Sequence, residues 1–291
     1  AEWFALWRGQ LPDTAVMNRG IEQYHRWNEV AMQLKRVGVI TAVIIDSLFS
    51  LSDLIRPLQN VSSAPKAARL LYDSTLGTTP SQQNFNYQAI NIQPPFTILA
   101  SQSYSAPVTV LNTSNQLADY AGYTVSQTVM PTLNRAAGFQ LSLDLRVITE
   151  NHNGNNNRAG FSVILLSEDL YGVEIVFWED EIWVQEGNGN LFSHAEGVAY
   201  DTTAVLTTYE ITIISNTYEL AANDVPLLSG SLRQYTDWNS GGLPDPYEQP
   251  NQLFLGDDTS SAGAEVWLGD VLMVTDEAPM HTLFLPYLNK P

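Results

Sequence analysis

The sequence predicts a mainly β protein, an antiparallel β-sandwich with an N-terminal α-helical extension. Three observations predict it. Beyond Leu70, apolar and polar residues alternate at period 2 over several stretches, and clusters of Asn, Gly and Asp separate them. The helical periodicity lies before a composition break at Ser62-Ser63-Ala64-Pro65. The 291 residues suit one large domain or two smaller ones. The boundaries read as 1–66 for the extension, 67–279 for the sandwich and 280–291 for a C-terminal tail.

The extension begins with a turn or helix start at Pro12-Asp13-Thr14. Ile21, Tyr24, Trp27, Ala31 and Leu34 then recur at helical spacing. Residues 37–55 follow, with Asp46 and Asp53 as their only charges. Asp46, Ser50 and Asp53 form a narrow polar stripe on an otherwise apolar helix. Packing on protein is the favoured reading. The second is a membrane anchor, oriented by Lys35 and Arg36 under the positive-inside rule. Asp46 opposes that at roughly 2.5–3.5 kcal/mol. A signal peptide starting at Met32 is the third.

The strands follow in order. Gly138–Ile148 sets Phe139, Leu141, Leu143, Leu145 and Val147 against Gln140, Ser142, Asp144 and Arg146. Ala159–Leu166 reads as a more buried strand. Val173–Trp178 and Glu181–Gln185 flank a two-residue turn at Glu179-Asp180, and Tyr209–Ile214 and Thr217–Leu220 flank Ser215-Asn216. Leu253–Gly256 and Ala264–Val274 close the series. Many short strands with no helical period between them indicate a sandwich.

Charge narrows the function. The chain holds 13 Lys and Arg against 31 Asp and Glu, a formal net charge of −18. Residues 67–291 carry 6 basic and 25 acidic side chains. No phosphate-neutralising groove can be built from them, which excludes nucleic-acid binding. There is no cysteine, so disulfides, thiolate metal sites and cysteine nucleophiles are absent. The four histidines, His25, His152, His194 and His281, show no zinc spacing.

Several segments carry a resemblance. LYDSTLGTTPSQQNFNY (Leu71–Tyr87), RAAGFQLSLDLRVITENH, NRAGFSVILLS, YGVEIVFWEDEIWVQ, LFSHAEGVAYDTT and LPDPYEQPNQLFLGDDTSSA together resemble a concanavalin A-like (laminin G-type) jelly roll. The resemblance is to domains of bacterial secreted and surface proteins, of cyanobacterial and green filamentous phototroph type. HTLFLPYLNKP resembles the short tails that end surface proteins of green filamentous bacteria. The resemblance implies the architecture and an extracellular or cell-surface location, without an established reaction.

Glu179, Asp180 and Glu181 sit at a turn, not alternating along one strand as a glycosidase pair would require. No catalytic residue is therefore assigned. Glu174 is mid-strand, and Arg158, Glu150 and Glu174 are expected to form an ionic cluster on one sheet face. Trp238 and Tyr247 are the expected exposed aromatics of a sugar-stacking platform, with Arg158 and Glu174 as polar partners. Asp257 and Asp258 are expected to ligate any bound metal, which would be Ca²⁺ because only oxygen donors are on offer. An acidic turn is the alternative reading there, and also at Asp201-Thr202-Thr203.

The function expected is a non-enzymatic module binding carbohydrate or another cell-surface polymer. One alternative is a structural subunit self-associating through residues 1–66, whose apolar helical face would otherwise stand exposed. The other is a polysaccharide-acting hydrolase or lyase.

Overall fold

Residues 67–276 are described by the computed structural model, in which the alternating stretches become fifteen strands. They are β1 (Ala67–Tyr72), β2 (Phe85–Asn91), β3 (Ser101–Ser105), β4 (Val108–Asn112) and β5 (Asp119–Val125). The long β6 (Phe139–Asn151) follows, then β7 (Ser162–Leu166), β8 (Gly172–Phe177), β9 (Glu181–Gln185) and β10 (His194–Ala199). The last are β11 (Thr207–Ile214), β12 (Thr217–Ala222), β13 (Val225–Ser231), β14 (Leu253–Asp257) and β15 (Gly263–Thr275). The helical reading of residues 37–55, the assembly and anchor roles given to 1–66 and the tail 280–291 lie outside the described residues.

All pairings between strands are antiparallel, in two sheets. The eight-stranded sheet runs β13-β12-β11-β6-β15-β4-β3, with β1 also on β15. Thirteen-residue β15 is long enough to hold β4 along its first half and β1 along its second, while β6 lines its other edge. The seven-stranded sheet runs β10-β9-β8-β7-β14-β5-β2.

The sheets share one core. Leu141, Leu143, Leu145 and Val147 of β6, with Tyr209, Ile211 and Ile213 of β11, face Val163 and Leu165 of β7 and Val173, Ile175 and Phe177 of β8. Each large side chain taken wholly from water contributes about 1.5–3 kcal/mol. The two sheets differ on their outer faces. β6 alternates buried and half-buried, as one-sided burial dictates. β7 and β8 are buried at every position. Their inward residues fill the core, and loops cover their outward residues, Ile164, Leu166, Glu174 and Val176. That covered outer face holds the candidate site.

Candidate functional site

Register places a line of side chains across the outer face of the seven-stranded sheet. Asn86 pairs with Thr124, Thr124 with Phe254, Phe254 with Ile164, and Ile164 with Glu174. The line crosses five strands. β5 and β14 come close enough to hold it because Gly122 faces Gly256. A Cβ at Gly122 would stand 2.6 Å from the Phe254 ring and 2.7 Å from the Leu255 carbonyl.

Two loops rise over this line. The segment after β13 is tied down by the bridge between Gly172 and Arg233 and by Asn188, whose backbone N–H donates to Gln234 O at 2.8 Å. Arg233 also pairs with Glu186 at 2.9 Å and with Glu196, joining the β9–β10 loop to the same support. Tyr235 and Tyr247 stack at 5.0 Å over Ile164 and Leu166 in a small second core. Trp238 stands perpendicular to Tyr247, ring centres 5.5 Å apart, and Phe192 meets both rings edge-on or tilted.

Two adjoining cavities remain under and beside these loops. One, of about 270 Å³, is lined by Asn86, Thr124, Trp238, Asp245, Phe254 and Asp257 among others. The other, of about 280 Å³, is lined by Arg158, Glu174, Gln185, Phe192, Tyr247 and Asp258 among others. Tyr120, Trp238 and Asp258 line both, so the two form one cleft along the register line.

The cleft floor sets one phenol between two carboxyls. Tyr247 Oη lies 2.7 Å from Glu174 Oε2 and 3.0 Å from Asp258 Oδ2. A phenol has one proton and cannot donate to two carboxylates at once. Both contacts become hydrogen bonds when Glu174 keeps its proton and donates to Tyr247, which donates to Asp258. Burial pushes the Glu174 carboxyl well above its usual range and the Asp258 charge pushes it further, against the Tyr247 bond and the Arg158 charge. Burial also raises Asp258, and raises Asp257 well above the ordinary value. Tyr235 completes the floor, accepting from Glu174 N and donating to Gln185 O, each at 3.0 Å.

The structure thus brings Arg158, Glu174, Trp238, Tyr247 and Asp258 to one cavity and Asp257 to the adjoining one. It corrects two expectations. Tyr247 is not an exposed aromatic: it is 2 % exposed, because its hydroxyl is drawn down to two buried carboxyls. Arg158, Glu150 and Glu174 do not form one ionic cluster. Glu150 meets His152 Nδ1 at 2.9 Å, while Arg158 Nη1 donates to the carbonyls of Asn157 and Phe192. Asp257 and Asp258, the residues expected to ligate Ca²⁺, each engage a protein partner. Asp257 Oδ1 accepts from Thr259 N–H at 3.0 Å, an acidic turn, and Asp258 turns to Tyr247. Among the described residues no three carboxylates or histidines are grouped to hold an ion. Asp201 likewise caps its own turn through Thr203.

Glu179 and Glu181 stay away from the cleft. Glu179 accepts from Glu150 N and Glu181 meets His194. Tyr120, Gln185, Phe192 and Asp245 were missed in the sequence. Gln185 alone left a signal there, as the polar end of an apolar strand. A pair of stacks, His152 on Trp178 and His194 on Trp183, both at 4.1 Å, was equally unforeseen, because their partners come from different strands and loops.

No family model matches the chain, and no curated protein matches it. The cyanobacterial and phototroph character of the resemblance therefore has no support, and what remains of it is the two-sheet sandwich. Solved structures resemble the chain distantly. A carbohydrate esterase from a Shiga toxin-encoding bacteriophage aligns at TM-score 0.48 and 11% identity, covering 72% of this chain and 100% of that one. A protein with a galectin-like fold from Bacillus subtilis aligns at 0.43 and 9%, covering 72% and 99%. Alginate lyase A1-II' of polysaccharide lyase family 7 aligns at 0.40 and 10%, covering 66% and 95%. At these scores the likenesses carry no argument about the chemistry of this chain.

Proposed function

We propose that the chain is a non-enzymatic carbohydrate-binding module of the extracellular space or cell surface, with the cleft over the seven-stranded sheet as its glycan site. One observation carries the reading. The cleft sets the aromatic side chains of Trp238, Tyr120 and Phe192 beside convergent hydrogen-bonding groups from Asn86, Arg158, Gln185 and Asp258. Sugars offer apolar C–H faces and a ring of hydroxyls, and a site for them needs rings together with a few placed polar groups. Two cavities in line give room for more than one sugar unit. The cell-surface half of the reading rests on the resemblance to secreted and surface domains.

The test is a glycan panel read by calorimetry. Binding of an oligosaccharide, weakened tenfold or more by Trp238→Ala with the circular dichroism spectrum unchanged, is the expected result. A panel without a ligand, or a ligand indifferent to Trp238, would remove the cleft from the account.

A second reading has one specific observation behind it. Glu174 and Asp258 are two carboxyls joined through one phenol, and hydrolysis of a glycosidic bond employs a carboxyl pair flanking that bond. Bond cleavage in a bound oligosaccharide, lost in Glu174→Gln while binding persists, would favour this reading over the first.

A further inference from the structure

The cleft is rich in acceptors and poor in donors. Glu174, Asp245, Asp257 and Asp258 line it, against one cation, Arg158. Arg158 is turned partly away, with Nη1 held by the carbonyls of Asn157 and Phe192 and its guanidinium 5.4 Å from the Phe192 ring centre. Two acceptors are orphaned. Among the described residues, Gln185 Oε1 and Asp257 Oδ2 find no hydrogen-bond partner, and their residues are 3 % and 1 % exposed. Gln185 lines the polar cavity and Asp257 the other. A buried acceptor without a donor costs about 1–3 kcal/mol, so the floor stands to gain from a ligand that brings donors.

Uronates and sulfated sugars bring more anionic acceptors to this floor and are disfavoured. A neutral hydroxyl brings one donor with two acceptor lone pairs, whereas an ammonium brings three donors, no acceptor and the missing charge. The net charge of −18 also steers cations toward the protein.

We infer that the cleft selects a cationic amino sugar, an oligomer of unacetylated glucosamine type, whose ammonium sits against Asp258 and Glu174 while its ring lies on Trp238. This rests on the glycan-site reading and names its ligand class.

The test is calorimetry on the full chain with four probes of equal length, their amines protonated: oligomers of glucosamine, N-acetylglucosamine, glucose and lysine. The glucosamine oligomer should bind at least tenfold tighter than the acetylated and neutral sugars. Its affinity should fall with added salt, because surface charge attraction is screened. Asp258→Asn should erase the preference, and Glu174→Gln, a near-isosteric change at the neighbouring carboxyl, should reduce it. Acetylated or neutral oligomers binding as tightly, through Trp238, would overturn the amine and leave the glycan site standing. Lysine oligomers binding as tightly as glucosamine would overturn the sugar in favour of a basic peptide. No binding by any of the three sugars would sink both readings.

Discussion

Glu174 is the residue on which the cleft turns. It lies mid-strand in β8, pointing away from the core between Val173 and Ile175, and is still only 1 % exposed. Its neighbours are Asp258 and Tyr247 from the β14 end and the covering loop, Tyr235 from the same loop, and Arg158 from the segment before β7. Because its pKa is raised in the folded state, the native chain binds more protons here than the unfolded chain. The stability of that protonated form is full below the unfolded pKa, near 4.5, and is lost as pH rises through the folded pKa. Glutamine cannot ionise. The melting temperature of Glu174→Gln relative to the parent should therefore climb as pH rises from about 4.5 into the alkaline range. A gain of ~1 kcal/mol would show as about 2–4 °C in a domain of this size. A constant difference across that range would mean that Glu174 is charged in the native cleft. The sequence exposed Glu174 as an acid mid-strand in an apolar run. Its partners were hidden, since Tyr247 and Asp258 lie more than seventy residues away along the chain.

At the scale of elements, the join between β5 and β14 sets the cleft. Gly122 and Gly256 pair across it, and the Phe254 ring lies over Gly122. Gly122→Ala puts a methyl into that ring and against a backbone carbonyl that cannot move without breaking the ladder. Overpacking of this kind costs about 1–3 kcal/mol. We expect a matching loss in denaturant midpoint, together with weaker binding of any cleft ligand. A variant as stable as the parent would show that the strands can part without cost. The hairpins β8–β9 and β11–β12 were legible because their turns, Glu179-Asp180 and Ser215-Asn216, interrupt clear apolar runs. Strands β2 and β3 were not. Ser101–Ser105 is an edge strand without a buried residue, and Phe85–Asn91 mixes amides with apolar groups because its outer face lines the cleft.

For the whole molecule, among the described residues 67–276 each sheet finds its apolar cover in the other. A fragment beginning at residue 67 should therefore fold cooperatively and keep its cleft. Light scattering on fragment and full chain tests the proposed assembly role of residues 1–66, which predicts a lower oligomeric order for the fragment. A fragment that fails to fold would make residues 1–66 part of the core. The sequence by itself determined the class of fold, the inward faces of the long strands and the absence of cysteine chemistry. These follow from local alternation and composition, which each segment carries alone. It also named six of the residues that line the cleft, Arg158, Glu174, Trp238, Tyr247, Asp257 and Asp258, though not their arrangement. Only the tertiary structure decided that Tyr247 is buried, that Asp257 and Asp258 turn to different partners, and that Gln185 lines a cavity with its Oε1 unpaired among the described residues. Those are outcomes of register between strands and of loops laid over a sheet. Their partners are distant in sequence, and no local period encodes which distant carboxyl one hydroxyl will meet.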